Sequence, residues 1–177
     1  MIVPIICVLG EFGTGKTLFA TYQALKFASE NPDKKVFANY PIKGIANFRQ
    51  YQFDDLKQEE FPVWLENGLL IIDELQLGSD AYEFMQLGVK AMFSFITQIR
   101  KLDLQLLMVT PVFTFISKRL RDITNYIITL EDMTESGIVT ANYFRFRKPR
   151  TKYLQTKRYD LRSVFPYYNT KHIIKKG

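Results

Sequence analysis

Apolar and polar positions along this chain follow two different periods. Short, continuous runs of aliphatic residues at 2–9, 35–39, 69–72, 104–110 and 126–130 are bounded by turn-forming residues, the pattern of strands buried on both faces of a parallel sheet. Between them lie helical patterns. Leu18, Tyr22, Leu25 and Ala28 recur at helical spacing over 16–30, and Asn31-Pro32-Asp33 stops that helix. Residues 81–101 read as a long amphipathic helix with Phe84, Leu87, Met92, Phe95, Ile96 and Ile99 on its apolar face, closed by Gln98, Arg100 and Lys101. Residues 43–62 are polar and irregular except for a short helix near 54–60, and the basic segment 117–122 is helix-like.

Strands alternating with helices predict a three-layer α/β sandwich on a mainly parallel sheet. The period then changes. Residues 137–147 alternate apolar and polar, which predicts an antiparallel strand pairing back on 127–133 through a turn at 134–137. The expected organisation is a core over 1–132, followed over 133–177 by an antiparallel hairpin and basic extension of the same domain.

A length of 177 residues suits one domain with its own core. The single Cys7 lies inside the first apolar run, permits no internal disulfide and suggests a reducing, cytoplasmic compartment. No basic region precedes residues 2–9, and no apolar run approaches bilayer-crossing length, so a soluble protein without leader or span is expected. Charge is unevenly placed. Residues 1–144 hold 13 Lys and Arg against 17 Asp and Glu, whereas residues 145–177 hold 11 basic residues against Asp160 alone. A basic end on a mildly acidic body suggests a polyanionic partner.

The candidate chemistry begins at the first strand end. Gly10-Glu11-Phe12-Gly13-Thr14-Gly15-Lys16-Thr17 fits the phosphate-binding loop G-x-x-x-x-G-K-[ST] at every fixed position, with a strand before it and a helix after it. Its glycines let main-chain N–H groups converge on phosphate oxygens at a helix N-terminus. Lys16 would reach the β- and γ-phosphates, and the Thr17 hydroxyl would ligate Mg²⁺. Asp73 and Glu74, at the carboxyl end of the run 69–72, read as the second acidic motif of such a site. Asp73 would hold the metal through its water shell and Glu74 would polarise the attacking water; the alternative is a helix cap or plain surface. Thr110 ends another strand, as a candidate γ-phosphate sensor or as the cap of the next helix. Arg145, Arg147, Lys148, Arg150, Lys152, Tyr153, Lys157, Arg158 and Tyr159 interleave cations with aromatics, which suits nucleic acid but also a solvated tail or an acidic neighbouring subunit. His172 has no metal-ligand cluster around it.

The order of motifs (phosphate loop, ANYP, IDELQ, ITQIRKLDLQLLMVTP, SKRLRD) resembles the Zot-like ATPases of phages and viruses, within the FtsK–HerA superfamily of DNA-pumping P-loop ATPases. The likeness spans residues 2–130, and SVFPYYNTKHI at 163–173 is similar to a segment that follows the core in such proteins. It implies an ASCE/RecA-like P-loop NTPase core, ATP contacts from Gly10 to Thr17, Mg²⁺ at Thr17 and Asp73, Glu74 as catalytic base and Thr110 as sensor. This chain has Pro111 where many relatives carry glutamine, so Gln76 and Gln98 are alternative sensors. The likeness further implies a ring of six copies, with an arginine acting across the subunit interface: Arg100 or Arg121, with Arg119 a further candidate. Double-stranded DNA is the implied cargo and a capsid or portal protein a possible partner, in the host cytoplasm for a viral protein. Alternatives are a virion-assembly ATPase acting on protein, and a helicase or plasmid-mobilising ATPase.

Overall fold

The five apolar runs become neighbouring strands. The computed structural model describes residues 4–57, 60–73, 89–147 and 150–168. It comprises β1 (Ile5–Leu9), β2 (Lys35–Ala38), β3 (Phe48–Gln50), β4 (Gly68–Ile72), β5 (Leu104–Thr110), β6 (Tyr126–Leu130), β7 (Ile138–Arg147) and β8 (Arg150–Asp160). These form one eight-stranded sheet in the order β3-β2-β4-β5-β1-β6-β7-β8. Strands β1 to β6 run parallel, and β7 and β8 close the sheet antiparallel. Strand β5 stands between β1 and β4, so the glycine-rich loop and Asp73 rise from strands separated by one neighbour.

Helices cover both faces, which gives the expected three layers. On one face, Phe95 and Ile99 of α3 (Val89–Lys101), Leu56 of α2 (Phe53–Lys57) and Leu120 of α4 (Lys118–Ile123) pack on Ile5, Cys7, Leu70, Ile72, Leu106 and Met108. Burial pushes the Cys7 thiol well above its ordinary range. On the other face, Phe19, Ala20, Ala24 and Phe27 of α1 (Lys16–Glu30) meet Val8, Ile71, Val109, Val139 and Ala141. Each of the Val, Leu, Ile, Phe and Met side chains among them contributes roughly 1.5–3 kcal/mol on burial.

The buried surface of α1 differs from the predicted stripe. Leu18, Phe19, Ala20, Thr21, Ala24 and Phe27 are buried, whereas Tyr22, Leu25 and Ala28 are partly covered. The helix is covered twice, by the sheet and by the C-terminal segment. That segment contains a 3₁₀ turn, Arg162–Tyr167, which brings Leu161 and Val164 into the same core. Phe84 and Leu87 of the predicted face of α3 lie outside the described residues.

Two strands were not foreseen. Within the expected irregular stretch, β3 adds to the sheet edge beside β2, with Val36 N–H donating to Asn47 at 3.0 Å and Tyr51 N–H to Ala38 at 3.1 Å. The expected basic extension is largely β8, paired with β7 along its length, with an irregularity at Tyr143/Phe144 where Leu154 has no partner. A strand this polar carries no period-two signal, because both of its faces are exposed. No helix among the described residues is long and apolar enough to cross a membrane.

Candidate nucleotide site

The loop after β1 closes on itself. A Cβ at Gly10 would lie 2.6 Å from Thr14 Oγ1, so only glycine permits the turn. Buried Thr14 secures it, donating through Oγ1 to the Glu11 carbonyl at 3.0 Å. Gly15 takes φ +81°, the left-handed conformation that starts α1, and its carbonyl accepts from Phe19 N–H at 2.8 Å. Lys16 Nζ curls over the loop, donating to the Glu11 carbonyl at 2.6 Å, and lies 5.5 Å from the centroid of the exposed Phe12 ring. This places an ammonium at the N-terminus of a 15-residue helix, where free N–H groups and the helix dipole also favour anions.

A cleft of about 250 Å³ opens beside this loop. Phe12, Gly13, Gly15, Lys16 and Thr17 form one wall, and Asp73 and Val109 the floor. Gly10, Glu11 and Thr14 shape the loop without lining the cleft. Asp73 is 5% exposed, directly after β4; strand alternation puts it on the α1 side with Leu69 and Ile71. Its main-chain N–H and carbonyl are both bonded to the carboxamide of Asn39.

Buried Asp73 and Thr17 line the same cleft and form a donor set that fits Mg²⁺, which takes one or two protein ligands and completes its shell with phosphate oxygens and water. Among the described residues no group of three or more His, Cys, Asp and Glu forms an all-protein cage. Thr17 and Asp73 would hold the ion.

The third wall was not anticipated. Met133, after β6, and Phe165 and Tyr168, around the C-terminal 3₁₀ turn, enclose the cleft opposite the loop. Phe165 is 45% exposed and offers a ring at the mouth. The sequence signal was the aromatic cluster at 165–168, which carried no assigned role. Main-chain bonding holds it: Lys43 N–H donates to the Tyr167 carbonyl at 3.0 Å, and Ile42 bridges Tyr168.

Thr110 does not share the cleft. Alternation along β5 sends Val109 to the cleft and Thr110 to the side of Leu106 and Met108. Its buried hydroxyl donates to the Val112 carbonyl at 3.3 Å, stabilising the turn after the strand. Gln98, the alternative sensor, accepts the Phe61 N–H and approaches Ser94. Glu74 and Gln76 lie outside the described residues, as does the stretch 75–82. Exposed Arg100 sits where α3 runs into the amino end of β5, the opposite sheet edge from the cleft. Arg121 Nη1 donates to the carbonyls of Thr114 and Ile116, each at 3.0 Å, and Arg119 is exposed on α4.

The basic residues of the hairpin divide in two, with Lys157 and Arg158 at its root opposite Ala141 and Thr140. Arg145 pairs across the strands with Lys152, and Arg147 with Arg150, so four exposed cations form a ladder at its far end. Tyr159 is not among them. Its ring packs on α1, so it is a packing residue and not an exposed aromatic. His172 and Lys148 lie outside the described residues.

A strand, a glycine-rich loop and a helix, with a buried aspartate on the next strand but one, define an α/β P-loop nucleotide-binding core. No protein-family model matches the chain, and no curated protein matches it. Solved structures do share the fold. The N-terminal domain of zonular occludens toxin from Neisseria meningitidis is 15% identical, covering 95% of this chain and 100% of that one, with a TM-score of 0.61. B204, the DNA-packaging ATPase of Sulfolobus turreted icosahedral virus, is 10% identical over 87% of this chain and 98% of its own, with a TM-score of 0.59. The genome-packaging NTPase B204 from Sulfolobus turreted icosahedral virus 2, in complex with AMPPCP, is 11% identical over 88% and 99%, with a TM-score of 0.58.

Proposed function

We propose that this chain is a Mg²⁺-dependent ATPase that hydrolyses ATP to ADP and phosphate and moves double-stranded DNA, in the packaging of a viral genome. The observation that carries the reading is one cleft lined by Lys16, Thr17 and buried Asp73, on the same sheet as an exposed Arg–Lys ladder. Lys16 binds and neutralises the β- and γ-phosphates, and Thr17 with Asp73 orients the metal. When bound, Mg²⁺ supplies Lewis-acid neutralisation of charge on those phosphates. Glu74, the next residue after Asp73, is the general base for the attacking water.

Motors of this kind act as rings, and a homohexamer is the proposed assembly. An arginine from the neighbouring subunit would stabilise the transferring phosphate. Arg100 and Arg121 both remain candidates, with Arg119 a third. The cationic ladder would contact DNA phosphates, and a capsid or portal protein would be the docking partner in the host cytoplasm. Two structures that share the fold, a DNA-packaging ATPase and a genome-packaging NTPase bound to AMPPCP, support this direction. The second reading is a virion-assembly ATPase acting on protein.

DNA-stimulated turnover separates them. Steady-state ATPase is measured with and without linear duplex at about 50 mM and 200 mM salt, where phosphate contacts dominate binding. A duplex-dependent rise that fades with salt is expected. Turnover indifferent to DNA at either salt, with no binding at the lower one, would sink the translocase reading and leave the ATPase standing.

A further inference from the structure

Two adjacent residues at the exit of β2 reach both halves of the metal site. The main chain of β2 pairs with β4 only as far as Ala38 opposite Ile71. Beyond that rung the Asn39 side chain takes over. Its Nδ2 donates to the Asp73 carbonyl at 2.9 Å, and its Oδ1 accepts the Asp73 N–H at 2.8 Å. The carboxamide thus prolongs the ladder by one step and fixes the main chain that carries the aspartate.

Tyr40 turns the other way. Its buried hydroxyl lies 3.2 Å from Thr21 Oγ1, and Thr21 Oγ1 donates to the Thr17 carbonyl at 2.9 Å. A hydroxyl has one proton to give. Thr21 gives its proton to Thr17, so Tyr40 donates to Thr21. Burial and the nearby Asp73 charge hold the phenol well above its ordinary pKa, which keeps it a donor. The ring is braced edge-on by Tyr168 at 5.9 Å, a residue of the cleft wall.

We infer that Asn39 and Tyr40 are positioning residues for the metal, setting the spacing between the Asp73 carboxylate and the Thr17 hydroxyl. The inference rests on the nucleotide reading above. Mg²⁺ tolerates little departure from octahedral geometry at short bond lengths, so the distance between its two protein ligands decides how well it is held. Main-chain bonds of the loop itself do not involve either residue, so phosphate binding without metal should be independent of them.

The experiment compares a fluorescent ATP analogue titrated in excess Mg²⁺ and in EDTA, with Mn²⁺ binding to the nucleotide complex followed by electron paramagnetic resonance. Asn39→Ala should leave the EDTA affinity within about twofold and lower the Mg²⁺-dependent gain by about tenfold, the equivalent of ~1.4 kcal/mol. Tyr40→Phe should lower the gain by a smaller factor, and Mn²⁺ affinity should fall in the same order. An Asn39→Ala protein that weakens equally with and without metal has a general structural defect, and that overturns the inference. So does a variant that keeps the full metal-dependent gain. A wild-type protein whose nucleotide affinity ignores Mg²⁺ removes the metal site itself, and both readings with it.

Discussion

Tyr159 sets its ring edge-on to Phe19, with 5.3 Å between centroids and 73° between planes. Phe19 is fully buried in the first turn of α1, directly behind Lys16, and Tyr22 meets the same tyrosine at 5.2 Å. The Tyr143 and Tyr159 hydroxyls are hydrogen-bonded across the hairpin. The root of the hairpin is therefore joined to the helix that presents the phosphate loop, while the Arg145–Lys152 and Arg147–Arg150 ladder stands at the far end.

This separation makes Tyr159 a stability residue. Tyr159→Ala should destabilise the fold by about 2 kcal/mol, with Tyr159→Phe costing about 1 kcal/mol. Denaturant unfolding checks both. Duplex affinity per folded molecule should be unchanged, which an exposed base-stacking aromatic would not allow.

Removing the ladder should have the opposite profile. Arg150→Ala with Lys152→Ala should leave stability within about 0.5 kcal/mol, since neither side chain is buried. The slope of log affinity against log salt should fall by about 1 for each phosphate contact removed. Fluorescence anisotropy with a duplex at several salt concentrations reads the slope directly.

Lys16→Ala should cut turnover by about two to three orders of magnitude, because it removes a cation aimed at the transferring phosphate. Glu74→Gln should retain ATP binding and lower kcat by about 10²–10⁴-fold, the usual size of a general-base contribution. Paired measurements of nucleotide affinity and single-turnover hydrolysis distinguish these losses. A Glu74→Gln enzyme with near-normal kcat would remove the glutamate from its assigned role.

Stability should fall at high pH. Burial raises the phenols of Tyr40 and Tyr51 well above the ordinary value of 10.0, with the Asp73 charge adding to the effect. The folded state therefore holds both protons where the unfolded chain releases them. Their contribution is complete below about pH 10 and is lost as pH rises, by up to ~1.4 kcal/mol per unit for each group. Urea midpoints should be flat between pH 7 and 9 and decline from 10 to 11. Tyr51→Phe, which also removes the bond to the Ile71 carbonyl at 2.9 Å, should make that decline shallower.

How far the sequence could be read depended on burial. Leu69 to Ile72 declares a strand because both faces are covered, and the glycine-rich loop declares itself because its chemistry needs fixed spacing. Strand β8 is exposed on both faces, so nothing constrained its side chains to alternate. Thr110 misled for a related reason: a strand end can be located from sequence, but which side of the sheet its last residue faces depends on register, and one residue of phase sent its hydroxyl to the layer behind the cleft. The aromatic wall at Phe165 and Tyr168 escaped because its function comes from folding back onto Ile42, beyond β2, a long-range contact that leaves no local period.

Strand β8 also ends the sheet among the described residues, and the outward-facing half of its peptide groups is a template on which another chain could grow. The mismatch beside Leu154 and the crowd of like charges guard against stacking of one molecule on the next. Neutralising that border wholesale would trade one property for another: lysines and arginines removed to silence a ligand contact are the same groups that keep the protein from polymerising sideways.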